Sequence, residues 1–135
     1  MRAVYYYDRD TNTCPVERYF GELWAQNKKK TLADIDQKIQ HVVRSNGLPT
    51  PPISTPLHGY SFFEVRTRKD KDILIRVLYF RHEDMVVLLN AFEKTDNYRS
   101  TKEKREIQKI LDITKAYQQE FINDPILYEE YKENQ

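Results

Sequence analysis

Three stretches rich in strand formers follow one another in the middle of the chain: YSFFEVRTR (residues 60–68), DILIRVLYF (72–80) and MVVLLNAF (85–92). Only the short charged turns KDKD and RHED separate them. Parallel strands need a crossover of a dozen or more residues, so turns this short predict an antiparallel meander. This constraint organises the rest of the reading.

Side chains alternate along a strand. In the first of the three, Phe63, Val65 and Thr67 share one face, and Phe62, Glu64, Arg66 and Arg68 share the other. In the second, Ile73, Ile75, Val77 and Tyr79 form a purely apolar set opposite Leu74, Arg76, Leu78 and Phe80. The apolar set is the better core surface, which places Arg76 on the opposite face with Arg66 as a cross-strand neighbour. A guanidinium in such a run is costly unless it faces water or a partner. The third strand leads into Lys94, Tyr98 and Arg99, so several cations and a tyrosine converge at one end of the sheet. The plain structural alternative is that Arg66 and Arg76 pair across strands with Glu64, Glu83 or Glu93.

The flanking segments supply helices. Residues 3–8 (AVYYYD) read as a first strand. CPVERYFGELWAQN follows, with Thr13 as its cap and a stripe of Val16, Tyr19, Phe20, Leu23 and Trp24. KKK (28–30) reads as a connector. Thr31 is expected to cap a second helix with Leu32, Ile35, Ile39, Val42 and Val43 as its stripe and Gly47 at its end. The proline-dense LPTPPISTP is an extended crossing to the sheet. A third helix starts at Ser100, whose spacing to Glu103 matches a capping box, and carries Ile107, Ile110, Leu111, Thr114, Tyr117 and Phe121 on one face. The expected fold is α+β, in the order β-α-α-β-β-β-α, with an antiparallel sheet and helices packed on one face. Residues 1–122 form the expected domain, and 123–135 a short helical extension or tail.

Composition removes several classes. Cys14 is the only cysteine and the three histidines are scattered, so intrachain disulfides and zinc or iron–sulfur sites are excluded. No metal and no cofactor is expected, and no phosphate-binding glycine motif occurs. The N-terminus lacks a signal-peptide layout and no apolar run is long enough to span a bilayer, so a cytoplasmic protein is expected. The net charge is only +1, but residues 58–105 hold eleven Lys/Arg against eight Asp/Glu, ahead of an acidic tail with three against seven.

A cluster of guanidinium groups beside a lysine or tyrosine suits RNA cleavage by the RNA's own 2′-hydroxyl. Guanidinium forks bind phosphate and stabilise the developing charge, and a perturbed lysine or tyrosine moves protons. The ordered motifs Leu57-His58-Gly59, Glu64-Val65-Arg66, Ile75-Arg76-Val77-Leu78-Tyr79 and Phe92-Glu93-Lys94-Thr95 resemble those of the RelE-like toxins, closest to the HigB branch of phage-derived host-inhibition proteins. The resemblance implies a type II toxin that cuts mRNA on the translating ribosome without a metal. It also implies a cognate antitoxin, typically a small helix-turn-helix protein of the HigA kind, which represses the shared operon. By residue-to-residue correspondence it implies Arg66, Arg76 and Lys94 as the catalytic cations. Thr95 stands where a second basic residue is common, and Arg99 and Lys102 are the nearest substitutes. Arg68, Tyr98, Arg99 and Lys102 are the expected RNA contacts. The alternatives are a ParE-like inhibitor of DNA gyrase and a catalytically inactive binding or regulatory member.

Overall fold

The computed structural model describes residues 1–95 and 100–132. Its elements are β1 (Arg2–Tyr6), α1 (Pro15–Ala25), α2 (Lys29–Arg44), β2 (Ser54–Pro56), β3 (Phe63–Asp70), β4 (Ile73–His82), β5 (Met85–Thr95), α3 (Thr101–Asn123) and β6 (Tyr128–Glu130). The class is α+β, and the meander β3–β4–β5 is antiparallel as the short turns require. The sheet order is β2-β3-β4-β5-β1-β6, with β1 parallel to β5. No helix among the described residues is long and apolar enough to cross a membrane.

Strand alternation builds two cores. Val65, Ile75, Val77, Tyr79 and Leu88 pack with Phe20, Leu23, Leu32, Ile35 and Ile39 of α1 and α2. On the other face Phe62, Leu78, Phe80, Val87 and Leu89 pack with Leu111 and Phe121 of α3. The helices are therefore divided between the faces, where the sequence reading put them all on one. Helices on one face alone would leave the other as an open groove, partly apolar from Leu74, Leu78 and Phe80 beside Arg76. Its apolar members instead receive the stripe of α3, because burying such side chains stabilises each by about 1.5–3 kcal/mol.

Local chemistry shifts several boundaries. Cys14, not Thr13, precedes α1, while Thr13 closes a backbone bridge with Asp8. α2 starts at Lys29 without a side-chain cap, so Lys29 and Lys30 are helical and Thr31 lies inside the first turn. Lysine is a good helix former, and its charge does not end a helix. Gly47 closes α2 in the left-handed region at φ +73, and an added Cβ would sit 3.2 Å from Cβ of Arg81. Ser100 caps α3 as expected, accepting from the Glu103 N–H at 3.1 Å. The Glu103 carboxylate accepts from Thr95 Oγ1 at 2.9 Å, tying α3 to the end of β5. Trp24 is 42% exposed rather than core, with Lys29 Nζ 4.9 Å from its ring centre.

The expected C-terminal helical extension is a strand. β6 pairs antiparallel with β1, Leu127 is buried, and the Tyr131 ring packs 5.2 Å from that of Tyr5. The β-branched and aromatic neighbours on β1 offer a half-buried surface that a three-residue strand can cover, whereas a single helical turn is marginal alone.

Candidate functional site

The candidate site is built from three cross-strand rows on the face that α3 covers. Glu64, Leu78 and Asn90 form one row, Arg66, Arg76 and Phe92 the next, and Arg68, Leu74 and Lys94 the third. Directly paired residues share a face, so the cations expected from β3, β4 and β5 do come together.

A bulge makes the third strand's contribution possible. Leu88 pairs with Tyr79 but Asn90 pairs with Leu78, so Leu89 has no partner of its own in the ladder. The extra residue inverts the alternation beyond it. Ala91 and Glu93 then face α1 and α2, while Phe92 and Lys94 face the arginines. The Asn90 side chain stabilises the irregularity: its Oδ1 accepts from the Ala91 N–H at 3.0 Å, and its Nδ2 donates to Thr114 Oγ1 at 3.0 Å. Simple alternation along MVVLLNAFEK would have put Phe92 and Lys94 on the wrong side.

Glu64 is the hub of the patch. It is 1% exposed, and its two carboxylate oxygens are divided between the arginines. Oε1 accepts from Arg66 Nε at 2.6 Å, and Oε2 accepts from Arg76 Nε and closes an ion pair with its Nη2. The Arg76 guanidinium also lies 5.1 Å from the ring centre of Phe92. Arg76 is therefore buried, at 4% exposure, between a carboxylate and a ring rather than lining an open groove. The cross-strand pairing weighed as the structural alternative is present, with Glu64 as its acid. The Arg66 side chain is about 50% exposed and spends only Nε on Glu64 in this arrangement. Two guanidiniums against one carboxylate leave the cluster net positive, at a place where one cation reaches water.

The other expected contacts are spread around this centre. Arg68 is exposed on β3 and donates from Nη1 to the Lys71 carbonyl at 2.9 Å. Lys94 lines a cleft of about 220 Å³ between the end of β5 and α3, with Thr95, Glu103, Glu106 and Ile107. Lys102 is exposed in the first turn of α3. Tyr98 and Arg99 lie outside the described residues. Among those residues no group of three or more metal-ligating side chains comes together. Glu93 and Glu83 are not partners of the arginines. Glu93 sits on the opposite face, accepting from Lys69 Nζ at 2.8 Å and Tyr19 Oη at 2.6 Å. Burial pushes the Glu93 carboxyl up, but those two hydrogen bonds outweigh it and hold it below its ordinary range.

Sequence reasoning named Glu64 only as a possible pairing partner. Its parity with Arg66, on a strand whose opposite face is apolar, was the available signal. The bulge had no such signal, because nothing in residues 85–95 besides Asn90 interrupts the strand pattern.

The fold and the patch define a small α+β protein with an arginine-rich sheet face held by a buried glutamate. The chain belongs to the family described as Phage derived protein Gp49-like (DUF891), whose model matches residues 18–115. That span contains most of α1, all of α2, the whole meander and the first two thirds of α3, hence every row of the patch. The family is associated with RelE-like toxins of toxin–antitoxin systems, which implies a cognate antitoxin as partner. Neither a comparison with curated proteins nor one with solved structures returned a match.

Proposed function

We propose that the chain is a ribosome-dependent mRNA endonuclease toxin of the HigB kind. The observation that carries this reading is the juxtaposition of Arg66, Arg76 and Lys94 from three adjacent strands on one face. In the reaction, the ribose 2′-oxygen bonds to phosphorus as its proton is removed. The bond from phosphorus to the 5′-oxygen breaks, and that oxygen gains a proton. The products are a cyclic phosphate and a 5′-hydroxyl, with no metal required. Arg66 binds a phosphate oxygen through its outward N–H groups. Arg76 is a positioning residue, holding Glu64 and with it the Arg66 fork. Lys94 stabilises the phosphorane charge and exchanges a proton with the reacting oxygens. Arg68 and Lys102, with Tyr98 and Arg99 between them in the chain, extend the contact along the RNA backbone. The cognate antitoxin is a small helix-turn-helix protein of the HigA kind, and operator DNA is reached only through it.

One observation favours a second reading. The Arg76 guanidinium is buried and engaged by Glu64 and Phe92, as in a structural ion pair. A catalytically inactive member that only binds its partner is consistent with that arrangement.

Mapping mRNA 5′ ends after brief induction separates the readings. The toxin reading expects new ends in register with codons for the wild type, and their loss with Arg66→Ala or Lys94→Ala. Growth arrest without new ends, preceded by a block of DNA replication, would establish the gyrase-directed alternative. Neither ends nor arrest, with antitoxin binding intact, would leave the inactive-member reading.

A further inference from the structure

A cavity lies away from the arginines, between α1 and β6. It measures about 470 Å³ and is lined by Tyr5, Glu17, Phe20, Gly21, Glu129, Glu130 and Lys132. Glu17, Phe20 and Gly21 are spaced i, i+3 and i+4 and so form one stripe of α1. Glu129 pairs directly with Tyr5 across β1 and β6, so both point to the face that α1 covers.

Three features indicate what the cavity takes. The carboxylate of Glu130 is engaged by Arg2. Glu17 and Glu129 form no ion pair among the described residues, so their charge is left for a ligand, with Lys132 exposed at the rim. Tyr5 is 3% exposed, yet its hydroxyl has no hydrogen-bond partner among the described residues, although it lines the cavity. The hydroxyl itself borders the cavity, where it can accept from a ligand N–H. The rings of Tyr5 and Phe20, 6.1 Å apart and packed edge to face, supply aromatic lining. Gly21 widens the space: an added Cβ would meet nothing within 4 Å. A glycine inside a helix costs about 0.5–1 kcal/mol relative to alanine, and packing does not require one at this position.

We propose that this cavity receives a basic side chain, arginine or lysine, of the protein partner. Two carboxylates, a hydroxyl acceptor and two aromatic rings are complementary to a guanidinium or ammonium group and to no anion. The cavity opens beside β6, the last strand of the sheet, whose outer edge is unpaired among the described residues. An extended segment of polypeptide can lie along such an edge and direct one side chain inward, which a free small amine cannot do. That the partner is an antitoxin rests on the family's toxin–antitoxin association. The pocket chemistry does not depend on mRNA cleavage.

The test uses the full chain and a capped pentapeptide with one central arginine flanked by valine and threonine, titrated by calorimetry. The arginine peptide is expected to bind, and its citrulline counterpart, neutral and nearly isosteric, to bind about tenfold more weakly or worse. Glu17→Gln and Glu129→Gln should each weaken binding similarly. Gly21→Leu, a better helix former whose side chain grows into the cavity, should abolish binding with no loss of melting temperature. Arg66→Ala should bind as the wild type does. Equal binding of the citrulline peptide, or wild-type binding by a folded Gly21→Leu, would overturn the proposal. Free arginine amide binding as tightly as the peptide would overturn the polypeptide source and make this a small-amine site. Because no ribosome is present, failure of the mRNA-cutting reading leaves this result standing, and a chain that cuts mRNA but ignores the peptide fails only here.

Discussion

At the scale of single residues, Glu64 decides what its two arginines are. A carboxylate at 1% exposure needs a cation beside it, and Arg76, buried with it, is the one that water cannot replace. Arg76→Ala therefore does two things at once: it removes a cation and leaves a buried carboxylate with only the half-exposed Arg66 as counterion, at a cost of up to about 3–5 kcal/mol. Parity alone implies that this substitution spares the fold, because parity places Arg76 on the right face. Burial reverses that expectation. Arg66→Ala is the cleaner probe, since its side chain is half exposed and such pairs contribute about 1 kcal/mol or less. The expected outcome by thermal denaturation is a near-wild-type midpoint for Arg66→Ala and a clear drop for Arg76→Ala. Glu64→Gln with Arg76→Met should recover part of that drop, because charge and countercharge leave together. A wild-type midpoint for Arg76→Ala would show that Glu64 finds water or another partner.

At the scale of elements, what was readable followed from period and turn length. The meander needed only two short turns, and the stripes of α1, α2 and α3 needed only the helical repeat. What was not readable depended on contacts between distant segments. The placement of α3 is set by Thr114 and Gln118, polar residues inside an apolar stripe, which bond Asn90 and Ser61 across the interface. Neither bond is visible in a single helix's sequence. β6 is the sharper case, since Tyr128–Glu130 carries no strand pattern of its own and becomes a strand only because β1 has a free edge. Truncation after Ile126 removes Leu127 and Tyr131 from the two cores. We propose that residues 123–132 belong to the folded domain. The truncated chain should lose about 2–4 kcal/mol of unfolding free energy in urea, from the burial of two large side chains. A loss within error would show the segment to be a tail.

At the scale of the whole molecule, the two faces of the sheet carry different electrostatics. The arginine patch lies under α3, and the Lys69–Glu93–Tyr19 cluster lies under α1 on the other side. Glu93 is held below its ordinary carboxyl range in the folded chain, so it supports the fold above the unfolded value near 4.3 and ceases to as pH falls through its lowered folded value. Glu93→Gln should therefore melt a few degrees below the wild type at pH 7, with the gap closing below about pH 4. Melting scans at stepped pH read this directly. A gap independent of pH would assign the effect to packing rather than charge.

The parallel pairing of β1 with β5 has a consequence in time. Tyr5 lies opposite Leu88, 83 residues further along the chain. During synthesis β1 waits for its parallel neighbour until those 83 residues have followed it. The arginine rows of β3 and β4 emerge inside that interval, before β5 is complete and before α3 exists to cover them. If the chain is the toxin proposed here, its cation-bearing face is finished only after β5 and α3 have been made. A nascent copy then lacks a working site while it is still attached to the machine it acts upon.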